Sequence, residues 1–158
     1  QAAEVEKSAT VTTANSSESL IETNSYSICV RTSATEPQAA RTCVFFQLTD
    51  VNGTKNDKIR LKCSVTHRKK FQPGHSDLFV VPDQTSLDEL ASIELWSLKK
   101  ENGPPLVLHS IDVLEHNTHK MFHFNGDGQK LGDNSGIKEM SPSLKIQLSG
   151  STKVFEQK

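Results

Sequence analysis

Residues 111–124 constrain this chain more than any other stretch. A two-residue turn at Asn117-Thr118 sets His116 opposite His119, Glu115 opposite Lys120, Val113 opposite Phe122 and Ile111 opposite Phe124. Both apolar pairs then fall on one face, as a buried sheet face requires. A slip of one residue would turn that whole face over, so the coincidence fixes the register. Glu115 and Lys120 add an expected cross-strand ion pair, worth under ~1 kcal/mol if exposed.

The same period-2 alternation recurs along the chain. Tyr26, Ile28 and Val30 alternate with Ser27, Cys29 and Arg31. Val44, Phe46 and Leu48 alternate across 42–49. Asn52-Gly53 is a hairpin signal, because both residues tolerate positive φ, and Ile59, Leu61 and Cys63 form the returning strand. Residues 77–81 make a short strand stopped by Pro82-Asp83. Ile93 and Leu95 mark the next strand, and Leu144, Ile146 and Leu148 the last. Residues 85–90 read as one helical turn, with Ser86 as cap and Glu89 three residues on. The stretches 65–76, 99–105 and 125–136 read as loops, from Pro73-Gly74, from Asn102-Gly103-Pro104-Pro105, and from a run rich in Gly, Asp and Asn. Short strands with frequent turns and little helix predict an all-β, eight-stranded antiparallel β-sandwich.

Apolar residues make up 34% of the chain and are concentrated in 26–148, enough for one core. Residues 1–25 are rich in Ser, Thr, Ala and Glu and read as a flexible N-terminal segment. Residues 26–150 read as the folded domain and 151–158 as a polar tail. A net charge of -1 provides no global basic field, so nucleic acid is not an expected partner. The basic run His67-Arg68-Lys69-Lys70 is too short to change that. No apolar run reaches the ~18 residues of a transmembrane segment. A start at Gln1 suits a secreted chain after signal-peptide removal, or a trimmed piece. Asn15 and Asn52 head N-glycosylation sequons, which a secreted chain would expose to glycosylation. Cys29, Cys43 and Cys63 allow one disulfide plus an odd thiol in any of three pairings, or three half-buried strand residues.

The order of motifs resembles a PLAT (lipoxygenase-homology) domain. Tyr26-Ser27-Ile28-Cys29-Val30-Arg31-Thr32 is similar to the family's opening Tyr-x-Val-x-Val-x-Thr strand. Thr42 through Gln47-Leu48 resembles its second strand, Asp77-Leu78-Phe79 its Asp/Glu-x-Phe strand, and Ile93-Glu94-Leu95-Trp96 its Ile-x-Val/Ile-Trp strand. Leu87-Asp88-Glu89-Leu90 stands where the family has Leu-Gly-Asp-Leu. Residues 96–124, with Phe122-His123-Phe124, are most similar to the C-terminal domain of pancreatic-type lipases. The resemblance implies a non-catalytic extracellular module that docks to lipid surfaces or lipid-associated proteins. The alternative it implies is a protein–protein interaction or structural module without lipid binding. The family's first loop carries glycines and acidic residues that ligate calcium. Here residues 33–42 lack the glycines and include Arg41, which speaks against that role.

The chemistry-bearing residues have bland readings. A Gly-x-Ser-x-Gly elbow is absent, and the adjacent His75, Ser76 and Asp77 are not spaced as a triad. His116 and His119 face each other across the hairpin, ~5 Å apart, but His123 is ~13 Å beyond, so a third ligand is missing. Asp50, Asn52 and Asp57 resemble part of a calcium loop without its closing Glu, and Asp127, Asp133 and Asn134 sit in a Gly-rich loop. No metal, cofactor or catalytic residue is expected. Trp96 is expected to pack into the core or the sandwich end.

The binding site is expected in the loop that follows Trp96. Leu98, Lys99, Lys100, Pro104, Pro105, Leu106 and Val107 are its lipid- or partner-binding residues. Prolines stiffen the loop, and the two lysines suit a headgroup boundary. Leu106 and Val107 are consecutive, so extended backbone points them to opposite sides and at least one is hard to bury. The competing expectation is that Leu106 and Leu108 simply begin the next strand.

Overall fold

A computed structural model describes residues 22–133 and 135–154. Asn15, Asn134 and most of the expected N-terminal segment lie outside the described residues. The strands are β1 (Thr23–Thr32), β2 (Thr42–Asp50), β3 (Ile59–Arg60), β4 (Ser76–Thr85) and β5 (Leu90–Lys99). They continue as β6 (Leu106–Glu115), β7 (Lys120–Leu131), β8 (Leu144–Gln147) and β9 (Gly150–Lys153). Two antiparallel sheets form, ordered β4-β1-β6-β7-β9 and β3-β2-β5-β8. No helix occurs among the described residues.

Alternation drives the assembly. Tyr26, Ile28 and Val30 of β1 and Ile111, Val113, Phe122 and Phe124 of the β6–β7 hairpin point inward and are buried. They meet Val44, Phe46, Leu48, Ile93 and Leu95 from the other sheet in one core. Each fully buried Phe or Leu of this kind stabilises the fold by roughly 1.5–3 kcal/mol.

The hairpin has the expected register, with Ile111, Val113 and Glu115 opposite Phe124, Phe122 and Lys120. Its turn spans 116–119, with His119 at φ 60 and its N–H donating to the Glu115 carbonyl at 2.9 Å. The expected Glu115–Lys120 ion pair is absent. Lys120 Nζ instead reaches Glu89 Oε1 at 2.6 Å. Glu115 already accepts from Asn24 Nδ2 and Thr118 Oγ1.

The structure departs from expectation where backbone pairing outweighs composition. Among the described residues there are nine strands rather than eight: the polar β9 pairs its backbone with β7 from Lys153↔Lys120 to Gly150↔His123. Ladder hydrogen bonds need no apolar side chain, and β9 is an exposed edge. Residues 125–131 are strand, not loop, because Leu106, Val107 and Leu108 pair with Leu131, Lys130 and Gln129. Gly126 makes this possible: a Cβ there would lie 2.6 Å from the Leu108 carbonyl oxygen. Residues 85–90 do not form a helical turn. β4 runs through Pro82 to Thr85, which an edge strand tolerates since its outer N–H groups need no partner.

Two buried polar groups stand out. Tyr26 is 1% exposed, and its hydroxyl is buried with it. Burial, then the nearby Glu115 carboxylate, push its ionisation from 10.0 to about 12. Asp50 is 4% exposed and accepts the backbone N–H groups of Asn52, Thr54 and Asp88, each at 2.9 Å. Burial pushes this carboxyl up, but the N–H donors of Asp88, Thr54 and Asn52 outweigh it and hold it below the ordinary range. The stretch that resembles a calcium loop in sequence is therefore a carboxylate-anchored turn.

Two outcomes follow. Tyr26 is the sole tyrosine, so phenolate absorbance reports it alone. The midpoint should lie near 12 while the chain is folded, and a midpoint near 10.0 would contradict this burial. The sign is that stability is intact below the unfolded value of 10.0 and is lost as pH rises toward 12. Asp50→Ala strands three N–H groups and should cost about 3 kcal/mol in urea unfolding, whereas an unchanged midpoint would refute the anchor.

Candidate functional site

Strand parity builds an unusual outer face. On β2, inward Val44, Phe46 and Leu48 force Cys43, Phe45 and Gln47 outward. On β5, inward Ile93, Leu95 and Ser97 force Glu94, Trp96 and Leu98 outward. The register sets Phe45 beside Trp96 and Cys43 beside Leu98. Met140 forms an antiparallel bridge with Leu98 and so shares its side; it is 44% exposed. The result is a strip of Phe45, Trp96, Leu98 and Met140 on the outside of the four-stranded sheet, where a polar surface is the rule.

Cations border the strip. Lys58 Nζ sits 4.0 Å from the Trp96 ring centroid, a cation–π contact. Arg60 pairs with Phe45 on the far side from Trp96, and Lys145 projects from β8 opposite Glu94. Trp96 thus does not pack into the core or the sandwich end as expected. The signal was present in the sequence: if Ile93 and Leu95 face inward, Trp96 faces outward.

The loop expected to bind divides. Leu98 lies on the outer strip, Lys100 and Pro104 are exposed, and Pro105 is partly exposed. Lys99 is only 9% exposed. Leu106 is 1% exposed and Val107 6%, so neither is free to enter lipid. They begin β6 instead. Opposite-pointing residues are both buried because the connection 33–41 runs alongside: Ser33 N–H donates to the Val107 carbonyl at 2.9 Å. Ala40 N–H donates to the Pro104 carbonyl at 3.0 Å, pinning the loop tip to the same connection.

The remaining candidates resolve into structural roles. Asp77 is fully buried and accepts from Phe71 N at 2.9 Å and Ser64 Oγ at 2.8 Å, and His67 Nδ1 lies 3.4 Å away. His75 stacks on His67 with centroids 4.3 Å apart. This set staples the 61–75 connection to β4. His116 Nε2 is 2.7 Å from Ser27 Oγ, and His123 Nδ1 is 2.7 Å from Asp112, so the hairpin histidines are drawn to different partners. Asp127 N–H donates to Asn125 Oδ1 within β7, where φ 50 marks an irregular point of the strand. Among the described residues no three His, Cys, Asp or Glu side chains converge as metal ligands do. All three thiols are free: Cys29 partly exposed, Cys43 buried, Cys63 exposed. Burial, then Asp112, push the Cys29 thiol up. Asn52, the second sequon, is exposed at the β2–β3 turn, with Nδ2 3.2 Å from Asp88 Oδ2.

No protein-family model matches the chain, and no curated protein sequence does. Solved structures do. A lipoxygenase deletion variant in complex with arachidonate matches with TM-score 0.58 and 12% identity over 80% of this chain and 16% of its own. Coral 8R-lipoxygenase, described as calcium-activated through a C2-like domain, gives 0.56 and 16% over 78% and 17%. A calcium-dependent 11R-lipoxygenase gives 0.52 and 17% over 79% and 17%. The chain spans about a sixth of the length of these proteins. At such identities the likeness is one of fold: this chain is a β-sandwich shared with part of the lipoxygenases.

Proposed function

We propose that this chain is a non-catalytic extracellular binding module that docks to a lipid surface through the outer strip of Phe45, Trp96, Leu98 and Met140. One observation carries the reading: an aromatic pair stands outward on a sheet face with Lys58 laid over it. Aromatic rings and lysine stems suit the headgroup boundary, where an apolar body and a polar rim are both accommodated. Partial insertion of such side chains contributes on the order of 1 kcal/mol each. Each lysine or arginine near an anionic surface adds about 1 kcal/mol. The sum describes weak, reversible docking rather than anchoring.

The lipase-like and lipoxygenase-like features support this reading. The coral neighbour is described as calcium-activated. Here Arg41 occupies the first loop and pairs with Glu101 at 3.3 Å, which favours docking without calcium. The Asn52 sequon lies exposed at the β2–β3 turn, where a secreted chain would present it.

Co-sedimentation with phosphatidylcholine vesicles containing phosphatidylserine tests the proposal. The parent chain should pellet with and without a calcium chelator. Trp96→Ala combined with Met140→Ala should weaken pelleting about tenfold. Undiminished pelleting of the variant, or none by the parent chain, would overturn it. The second outcome would favour a protein partner on this face.

A further inference from the structure

Six cations converge on one pocket. Arg41, Arg60, Arg68, Lys69, Lys70 and Lys100 line a cavity of about 220 Å³. They are a third of the 18 Lys and Arg residues, in a chain whose net charge is -1. The fold gathers them from four places: the residue before β2, β3, the 61–75 connection, and the residue after β5. Sequence distance hides the cluster, since only Arg68, Lys69 and Lys70 are neighbours.

The protein neutralises little of this charge. Arg41 pairs with Glu101, and Lys70 Nζ donates to the Lys62 carbonyl at 2.7 Å. Glu101 is itself held below the carboxylate range by the Arg41 backbone and side chain, with Lys69 adding to the pull. Among the described residues no other ion pair reaches the six. Like charges lining one pocket repel, and the fold holds them on an anchored frame. Asp77 fixes the connection bearing Arg68 through Lys70, by holding the N–H of Phe71. Phe71 and Cys43, both 4% exposed, provide a firm apolar wall beside the charges.

We propose that this pocket binds a small polyanion: a sugar-sized ring bearing two or more phosphate or sulfate groups. Three guanidinium forks suit bidentate contact with tetrahedral oxyanions, and three ammonium groups add point charge. A single oxyanion would leave most of the six cations unmatched. The apolar wall faces the ring. The anion is either free in solution or the headgroup of a lipid. The pocket opens beside the docking strip, because Arg60 pairs with Phe45, which pairs with Trp96. The lipid-borne case rests on the docking reading, whereas the free-ligand case does not.

Calorimetry of the full chain at physiological salt tests this, with sucrose octasulfate and inositol hexakisphosphate as probes. At least one should bind with one-to-one stoichiometry. Arg60→Ala with Arg68→Ala, and separately Lys69→Ala with Lys100→Ala, should each weaken binding about tenfold or more. The control Lys130→Ala with Lys153→Ala removes the same charge from the other sheet and should bind as the parent does. Trp96→Ala should also leave soluble binding intact, which separates this inference from the docking reading. Vesicles carrying sulfatide or a phosphoinositide distinguish the sources: pocket-dependent pelleting marks a lipid headgroup, and soluble binding without it marks a free ligand. No saturable binding of either probe, or equal loss in the control variant, would overturn the proposal.

Discussion

Everything in this molecule depends on the two-residue period of antiparallel strands packed face to face. Burying Phe46 and Leu95 in the core commits Phe45 and Trp96 to the outside, since neighbours on a strand cannot share a face. The pairing of β2 with β5 then turns two separate outward residues into one aromatic patch. Core packing and the outward aromatic patch are therefore a single decision. A slip of one residue between these strands would destroy both.

The connections need a different kind of anchor, because they lack ladders. Two buried carboxylates provide it. Asp50 gathers N–H groups from its own turn and from Asp88, tying the β2–β3 turn to the β4–β5 connection. Asp77 gathers Phe71 and Ser64 and so fixes the basic connection beside β3. Buried carboxylates are costly unless they accept hydrogen bonds, and both do. The cost is offset by backbone donors that would otherwise be orphaned in loops. This arrangement lets an irregular, highly cationic segment keep a defined shape.

The β6–β7 hairpin, the inward faces and the sandwich architecture were legible in the sequence, because apolar alternation reports burial directly. β9 and the second half of β7 were not, since pairing there is carried by backbone groups and the side chains are polar. Leu106 and Val107 were legible only in part. Local spacing correctly put them on opposite sides, but the covering connection 33–41 comes from distant sequence. Trp96 was legible by parity, although its size favoured the core. The cation pocket was not legible at all. Arg41, Arg60, Arg68 and Lys100 become neighbours only through strand order, and a net charge near zero conceals them.

Trp96 is the only tryptophan, so its emission reads the outer strip of the four-stranded sheet without labels. The most direct test is to mix the chain with vesicles whose acyl chains are brominated at graded depths. Docking through the Trp96 strip predicts a blue shift and strongest quenching from bromines nearest the headgroup. Emission unchanged in position and unquenched, under conditions where the chain is bound, would show that lipid meets some other face.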